Sequence, residues 1–241
     1  MRIGITGIRG RMGQLLTREV AAAGMALAGG TGRGEDVDAL FAASDAVIDF
    51  THAHAAAGHA AAAARAGKPL TLGSSGLSAA EEAAVAEAAR AVPIVYAANF
   101  APGVNLLFAI AERMAAALPA VEYDAEIVEM HHRQKVDAPS GTAVALGRAV
   151  ARGRGMPLDM ESGRDGHTGP RRTGAIGFAA LRGGQVVGEH TLIFAAGSEH
   201  ITLGHRSFDR GAYAVGAVRA ARWASGRPAG LYDMKDVLGM G

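Results

Sequence analysis

The densest collection of chemically capable side chains lies in one run, Glu129-Met130-His131-His132-Arg133-Gln134-Lys135-Val136-Asp137-Ala138-Pro139-Ser140-Gly141-Thr142. Two adjacent imidazoles, a guanidinium and an ammonium stand ahead of a Pro-Ser-Gly-Thr turn, which opens a helix predicted to run through Ala149. A helix start offers unpaired N–H groups and partial positive charge to an anion. Lys135 and the imidazoles add charge and transferable protons. The cluster therefore suits a small anionic ligand and proton transfer. Taken singly, each residue has a plainer reading, with one histidine in the core, the other on the surface, and Arg133 and Lys135 on a solvated face. Neighbouring side chains on a strand point oppositely, so His131 and His132 can share a site only where the strand has ended. No further ligand stands at helical spacing and the neighbours are cationic, so no metal is expected. Of 24 basic residues only Lys68, Lys135 and Lys235 are lysines. Arginine carries the ordinary surface charge, which gives Lys135 added weight.

A second candidate site opens the chain. Gly7-Ile8-Arg9-Gly10-Arg11-Met12-Gly13 follows a strand predicted at Arg2 to Thr6 and precedes a helix predicted at Gln14 to Ala23. That is the place of a dinucleotide-binding turn, where glycines let backbone N–H groups approach a pyrophosphate. The spacing departs from G-x-G-x-x-G, because Arg9 and Met12 fill the second and third glycine positions, and a plain strand-to-helix turn also fits. At the end of the second strand an acidic residue would favour NAD. Here Gly29-Gly30-Thr31-Gly32-Arg33-Gly34 has no carboxylate until Glu35. Arg33 is expected to clamp a 2′-phosphate, which favours NADPH over NADH, although a solvated arginine in a glycine loop is the plainer alternative. Two loops at predicted strand ends, Gly73-Ser74-Ser75-Gly76 and Ala97-Ala98-Asn99-Phe100, are expected to line the nicotinamide half. Both also suit simple turns.

The elements that must hold these groups alternate. Strands are predicted at Met25 to Gly30, Ala46 to Phe50, Pro69 to Leu72 and Ile94 to Ala97, with helices at Ala53 to Ala66 and Ala79 to Ala91. Ser78 and Glu81 form a capping-box pattern at the start of the latter. Such alternation specifies a doubly wound, Rossmann-like parallel sheet. After Asn99 a helix from Val104 to Leu118 leads to a strand at Glu122 to Met130 whose apolar positions are taken as Ala125, Ile127 and Met130. Strands at Ile176 to Arg182, Val186 to Phe194 and His200 to His205 follow, giving an α+β region with a mixed, mostly antiparallel sheet. Gly153 to Gly174 is expected as a loop, Ala212 to Ala224 as a helix returning to the first domain, and Leu231 to Leu238 as a short tail. The domains expected are 1–101 with 209–241 for the dinucleotide and 102–208 for substrate binding and tetramerisation.

Bulk properties exclude several function classes. Twenty-four basic and 23 acidic residues leave a charge of +1, too even for a nucleic-acid footprint over the whole surface. With no cysteine, thiolate catalysis, disulfides and Cys-ligated zinc are excluded. No run approaches the ~18 apolar residues of a membrane span and no signal-peptide core opens the chain, so no membrane partner and a cytoplasmic location are expected.

Over nearly its whole length the sequence resembles the dihydrodipicolinate reductase family. The resemblance is carried by Gly7 to Gly13, Asp49-Phe50-Thr51, Gly73 to Gly76, Ala97 to Phe100, the signature-like Glu129 to Thr142, Gly166-His167-Thr168-Gly169, Val187-Gly188-Glu189-His190-Thr191 and Tyr232 to Leu238. It implies an NAD(P)H-dependent reductase of the diaminopimelate route to lysine, a homotetramer joined through the sheet of the substrate domain, with hinge closure between domains. By position it implies that His131 is the proton donor or acceptor and Lys135 a second proton donor. It places His132, Gly141 and Thr142 on a dicarboxylate substrate, with Ser140 and Ser75 among the substrate contacts. Gly7, Ile8, Arg9, Gly10, Arg11, Met12, Arg33, Gly73, Ser74, Ser75, Ala97, Ala98, Asn99 and Phe100 fall to the cofactor. Gly32 replaces the acidic residue that some members use to select NAD. Two alternatives stand beside this reading. One is another Rossmann-type NADPH-dependent reductase of a small anionic substrate, and the other is a non-catalytic NADPH-sensing subunit; retention of His131 and Lys135 weighs against the latter.

Overall fold

The computed structural model describes residues 1–240. The chain divides into two compact units, Met1–Pro102 with the segment from Arg210 onward, and Gly103–Asp209.

The first unit is built on a six-stranded sheet in the order β11-β5-β4-β3-β1-β2, with β1 (Arg2–Thr6), β2 (Ala26–Thr31), β3 (Ala46–Asp49), β4 (Leu70–Leu72), β5 (Pro93–Tyr96) and β11 (Gly230–Tyr232). Every pairing is parallel. The short apolar runs read as strands because both faces are covered: Ile3, Ile5 and Ile48 pack on one side with α1 (Arg11–Ala22) and α7 (Gly211–Ala224), and Val47, Leu70 and Ile94 on the other with α3 (Ala53–Ala66) and α4 (Ala79–Ala88). Alanines on α3 and α7 bring those helices close to the sheet. In register, Thr31, Thr6, Asp49, Leu72 and Tyr96 lie across the sheet as successive strand ends. The loops that follow them all leave from one edge.

The second unit pairs a five-stranded sheet, order β10-β9-β6-β8-β7, with α5 (Pro102–Ala117) and α6 (Gly141–Gly153). The strands are β6 (Asp124–His131), β7 (Met160–Ser162), β8 (Ile176–Arg182), β9 (Gly188–Ala195) and β10 (His200–Ser207). The sheet is mixed, with β10·β9 and β9·β6 antiparallel and β6·β8 and β8·β7 parallel. Its helix-facing side buries Ile127, Phe178, Leu192 and Phe194 against Leu107, Leu146 and Val150. A fully buried Leu or Phe in such a core contributes about 1.5–3 kcal/mol.

Several local expectations change. Helix α1 begins at Arg11 rather than Gln14, because Gly10 is the extended N-cap residue and Gly13 already packs against the carbonyls of Gly7 and Ile8. A short helix α2 (Val37–Ala43), capped by the Asp36 carboxylate, follows the Gly32 connection. The stretch expected as a loop at 153–174 contains β7, and Arg171 ties it to Asp124 and Glu126. The tail becomes β11 and a capped helix α8 (Met234–Leu238), closed by the reciprocal Asp233–Asp236 capping box. Strand β6 runs through His131, and its buried side carries Ala125, Ile127, Glu129 and His131, so Met130 belongs to the opposite face. No helix among the described residues is long and apolar enough to cross a membrane.

Candidate active site

In the second unit the inward face of the sheet changes character toward the end of β6. Ala125 and Ile127 belong to the apolar core, whereas Glu129 and His131, on the same alternation, are polar and 1% and 8% exposed. A buried carboxylate is costly unless its oxygens are satisfied. Arg182 at the end of β8 donates to both oxygens of Glu129, at 2.9 Å each. His131 Nδ1 lies 2.6 Å from Oε2, and the Ser140 backbone N–H donates to Oε1 at 3.1 Å. Burial alone would raise the Glu129 carboxyl, but the hydrogen bonds from Arg182 and His131 outweigh it and hold it below the ordinary value. The ionised carboxylate fixes His131 with its proton on Nδ1, leaving Nε2 for exchange with a ligand.

Burial pushes the His131 imidazole below its usual value, Glu129 pulls it up, and Lys135 and Arg182 push it down again. His190 of β9, opposite Glu129 in the sheet register, packs edge-on against the His131 ring at 5.1 Å. Burial, with His131 close by, lowers the His190 imidazole to about 4. It is neutral at pH 7. Its Nε2 lies 3.0 Å from Ser140 Oγ, and that hydroxyl also accepts the Ala143 N–H as N-cap of α6.

Beyond the strand, the Lys135 N–H donates to the His132 carbonyl in a tight turn, and Lys135 Nζ donates to both oxygens of Asp137 at 2.8 and 2.9 Å. The Asp137 carboxyl is lowered by that hydrogen bond from Lys135. His132 Nδ1 is buried and makes no hydrogen bond among the described residues. Gly141 and Thr142 form the first turn of α6. The unit thus brings together His131, Ser140 and, through Glu129, Arg182, while Lys135 follows in the adjoining loop. Ser140 is 2% exposed, and its hydroxyl is engaged by the helix cap and by His190.

In the first unit, Gly7 takes φ +68°, a conformation natural to glycine, and its N–H donates to the Thr31 carbonyl at 2.7 Å. Gly7, Arg9, Gly10, Arg11, Met12 and Arg33 border one cavity of about 640 Å³, together with Phe50, Thr51, His52 and His59. Ile8 instead packs on the sheet beside Gly30, and Met12 also reaches the core beneath the turn. The loops at Gly73 to Ser75 and Ala97 to Phe100 follow β4 and β5 and do not border this cavity. In them Ser74 is buried with a hydroxyl unpartnered among the described residues, Ser75 is exposed, and Asn99 Oδ1 accepts the Ala101 N–H at 2.8 Å. Phe100 is 1% exposed and packs at 5.4 Å from Phe50, so it offers backbone rather than ring.

Four polar groups lay outside the sequence-based site. Glu129 belonged to the signature without a role, and Arg182, 53 residues further on, carried no local signal. Asp49, wholly buried, accepts from Thr6 Oγ1, Thr51 N, Thr51 Oγ1 and His59 Nδ1 at 2.6–2.8 Å. His59 had been visible only as an interruption of an alanine run.

A cradle of backbone amides at the start of α1, where a Cβ on Gly13 would overlap the Gly7 carbonyl, and the unpartnered buried hydroxyl of Ser74 both fit a dinucleotide. Comparison with known proteins identifies the family by independent means. Residues 1–100 match the family model described as "Dihydrodipicolinate reductase, N-terminus", and residues 103–238 match that described as "Dihydrodipicolinate reductase, C-terminus". The chain is 62% identical over 255 residues to the 4-hydroxy-tetrahydrodipicolinate reductase of Granulibacter bethesdensis, covering 100% of this chain and 97% of that protein. It is 59% identical over 250 residues to the enzyme of the same name from Gluconacetobacter diazotrophicus, covering 100% and 98%. Among solved structures, a dipicolinate-bound dihydrodipicolinate reductase from Paenisporosarcina sp. TG-14 shares the fold, with a TM-score of 0.77, 23% identity and 97% of each chain covered. This chain belongs to the dihydrodipicolinate reductase family, whose members are oxidoreductases that use a nicotinamide cofactor.

Proposed function

We propose that the chain reduces 4-hydroxy-tetrahydrodipicolinate to tetrahydrodipicolinate with NADPH or NADH, in the cytoplasmic diaminopimelate route to lysine. The observation that carries this reading is the buried Glu129–His131 pair set beside Lys135 and the first turn of α6. The names of the close relatives support the substrate, and the dipicolinate held by the solved relative supports a ring dicarboxylate.

In this reading the first unit, 1–101 with 209–241, holds the dinucleotide. Backbone amides of Gly7 to Met12 and the N-terminus of α1 take the pyrophosphate. Arg33 takes a 2′-phosphate, and Gly73, Ser74, Ser75 and Ala97 to Phe100 serve the nicotinamide half. Bound there, the reduced nicotinamide supplies hydride to C4 of the substrate ring once the 4-hydroxyl has left as water. The remaining work belongs to the second unit, 102–208. Amides of Gly141 and Thr142, His132 and Lys135 hold the carboxylates. Ser140 acts by fixing the turn, and Ser75 is a further substrate contact. Glu129 holds His131 so that Nε2 exchanges the proton, and Lys135 Nζ donates a second proton, one of the two going to the carbon beside the reduced centre.

A homotetramer is part of the proposal. The face of the β6–β10 sheet turned away from α5 and α6 carries Val128, Met130, Leu181, Thr191 and Ile193, and Leu181 is 51% exposed. An open apolar sheet face of this kind is normally covered by a second copy.

The reading is tested by supplying freshly condensed aspartate semialdehyde and pyruvate and following NADPH and NADH absorbance. Oxidation of a cofactor is expected, and Arg33→Ala should raise KM for NADPH far more than for NADH. No oxidation of either cofactor overturns the function; equal effects of Arg33→Ala on both overturn the role of Arg33.

A further inference from the structure

The end of β2 has an arrangement that its sequence does not advertise. Position 32 has no side chain, yet a carboxylate is present there. Glu35 folds back so that Oε2 accepts the Gly32 N–H at 2.8 Å, while Oε1 accepts from Arg9 Nη2. The turn is closed by Glu35 N–H donating to the Gly32 carbonyl at 3.3 Å. A second observation concerns Gly32 itself. A Cβ built on Gly32 would overlap the Arg9 guanidinium, so Arg9 fills the volume that a side chain at the strand end would need. Arg9, Gly32, Arg33 and Glu35 all border the cavity described above. The Arg9 hydrogen bond, followed by the one from Gly32, holds the Glu35 carboxyl below its usual range, so it is an anion at neutral pH.

We propose that Glu35 and Arg9 form a two-position latch that sets the cofactor preference. Latched, Glu35 supplies the acceptor for an adenosine 2′-hydroxyl that Gly32 cannot. Unlatched, Arg9 exchanges Glu35 for a 2′-phosphate and acts alongside Arg33. The pair is exposed, with side chains 68% and 43% accessible, so the exchange replaces one solvated ion pair by another. Both cofactors are thus accommodated by one loop, with Glu35 competing against the 2′-phosphate for Arg9. A side chain at position 32 would displace the Arg9 guanidinium from the place it holds beside Glu35.

The inference rests on the first unit being the nucleotide-binding part. It is tested by calorimetric Kd values of 2′,5′-ADP and ADP for the whole chain, free of substrate and of turnover. In Glu35→Gln the ratio of ADP to 2′,5′-ADP dissociation constants should rise about two- to fivefold, the range open to an exposed ion pair. ADP itself should bind more weakly. Arg9→Ala should lower the ratio, and Glu35→Gln should then raise it by less than it does in the wild-type chain. An unchanged ratio in Glu35→Gln, or an equal tightening of both ligands from loss of negative charge alone, overturns the latch. Arg33→Ala separates the two ideas. If it leaves 2′,5′-ADP binding intact while Glu35→Gln shifts the ratio, the Arg33 assignment fails and the latch stands. Failure of both ligands to bind the wild-type chain overturns both.

Discussion

Replacing Glu129 by Gln preserves side-chain size while removing the charge on which four hydrogen bonds converge, two from Arg182 and one each from His131 and the Ser140 amide. The amide can satisfy only some of them. Its nitrogen must face an Arg182 donor in either orientation, together with the Ser140 N–H in one and with His131 Nδ1 in the other, where the imidazole must give up that proton and carry it on Nε2. In either case the counter-charge beside His131 is gone. A hydrogen bond to a charged group contributes about 1.5–3 kcal/mol, and that loss in the proton-transfer barrier corresponds to a roughly 10- to 150-fold fall in kcat. Breaking a buried ion pair costs about 3 kcal/mol of stability, so Arg182, left without its partner, should make the variant easier to unfold. Because Glu129 raises the His131 pKa, its removal should also move the limb of the pH–rate profile governed by His131 to lower pH. Turnover measured against pH, with the fold followed by circular dichroism and nucleotide binding by calorimetry, separates these effects. A folded variant with kcat within about twofold of wild type and an unmoved profile would refute the positioning role. So would a variant that is less stable but kinetically unaltered.

His131→Ala and Lys135→Ala should each lower kcat by about 10²-fold or more while leaving NADPH affinity unchanged, and wild-type turnover in either rejects its part in proton transfer. His190 predicts acid lability. Its imidazole, ordinarily at 6.5, is held at about 4 in the folded protein, so as pH falls the unfolded chain takes up the proton first. Stability tied to this group is complete above pH 6.5 and declines by about 3 kcal/mol on reaching pH 4. Urea melts of the wild type and His190→Asn across this range should show a shallower decline in the variant; equal slopes reject the argument. Leu181→Asp, placing a charge on the open face of the second sheet, should reduce the assembled mass in light scattering to that of smaller species. An unchanged mass excludes this face as the assembly contact.

The parallel sheet was legible because each strand is a compact apolar run and each helix is bounded by glycine or a capping residue, as at Gly24, Gly67 and Ser78. Helix α2 was not legible, since its seven residues span barely two turns and allow no repeat of the apolar pattern. At β6 the choice of face depends on what lies opposite. Met130 is the apolar residue, yet Glu129 is the buried one, because Arg182 arrives from β8 to neutralise it. Local sequence lacks that information. The same holds for His59, whose buried partner Asp49 stands ten residues earlier on another element, and for Glu35, whose carboxylate works three residues upstream of its own position. Motif residues were recognisable as a set. The groups that orient them were not, because their partners come from other strands and helices.

The clasp of Asp137 on Lys135 has a bearing on which anions the enzyme ignores. Only Val136 separates the pair, so the Asp137 carboxylate is a tethered competitor that dilution never removes. A simple monoanion offers Nζ nothing that Asp137 does not already provide at higher local concentration. A ring with two carboxylates can hold the start of α6 with one while the other contests Asp137 for the ammonium, so both attachments become intramolecular. If Lys135 holds a substrate carboxylate as proposed, the clasp sets a threshold that a monoanion does not pass and a bridging dicarboxylate does.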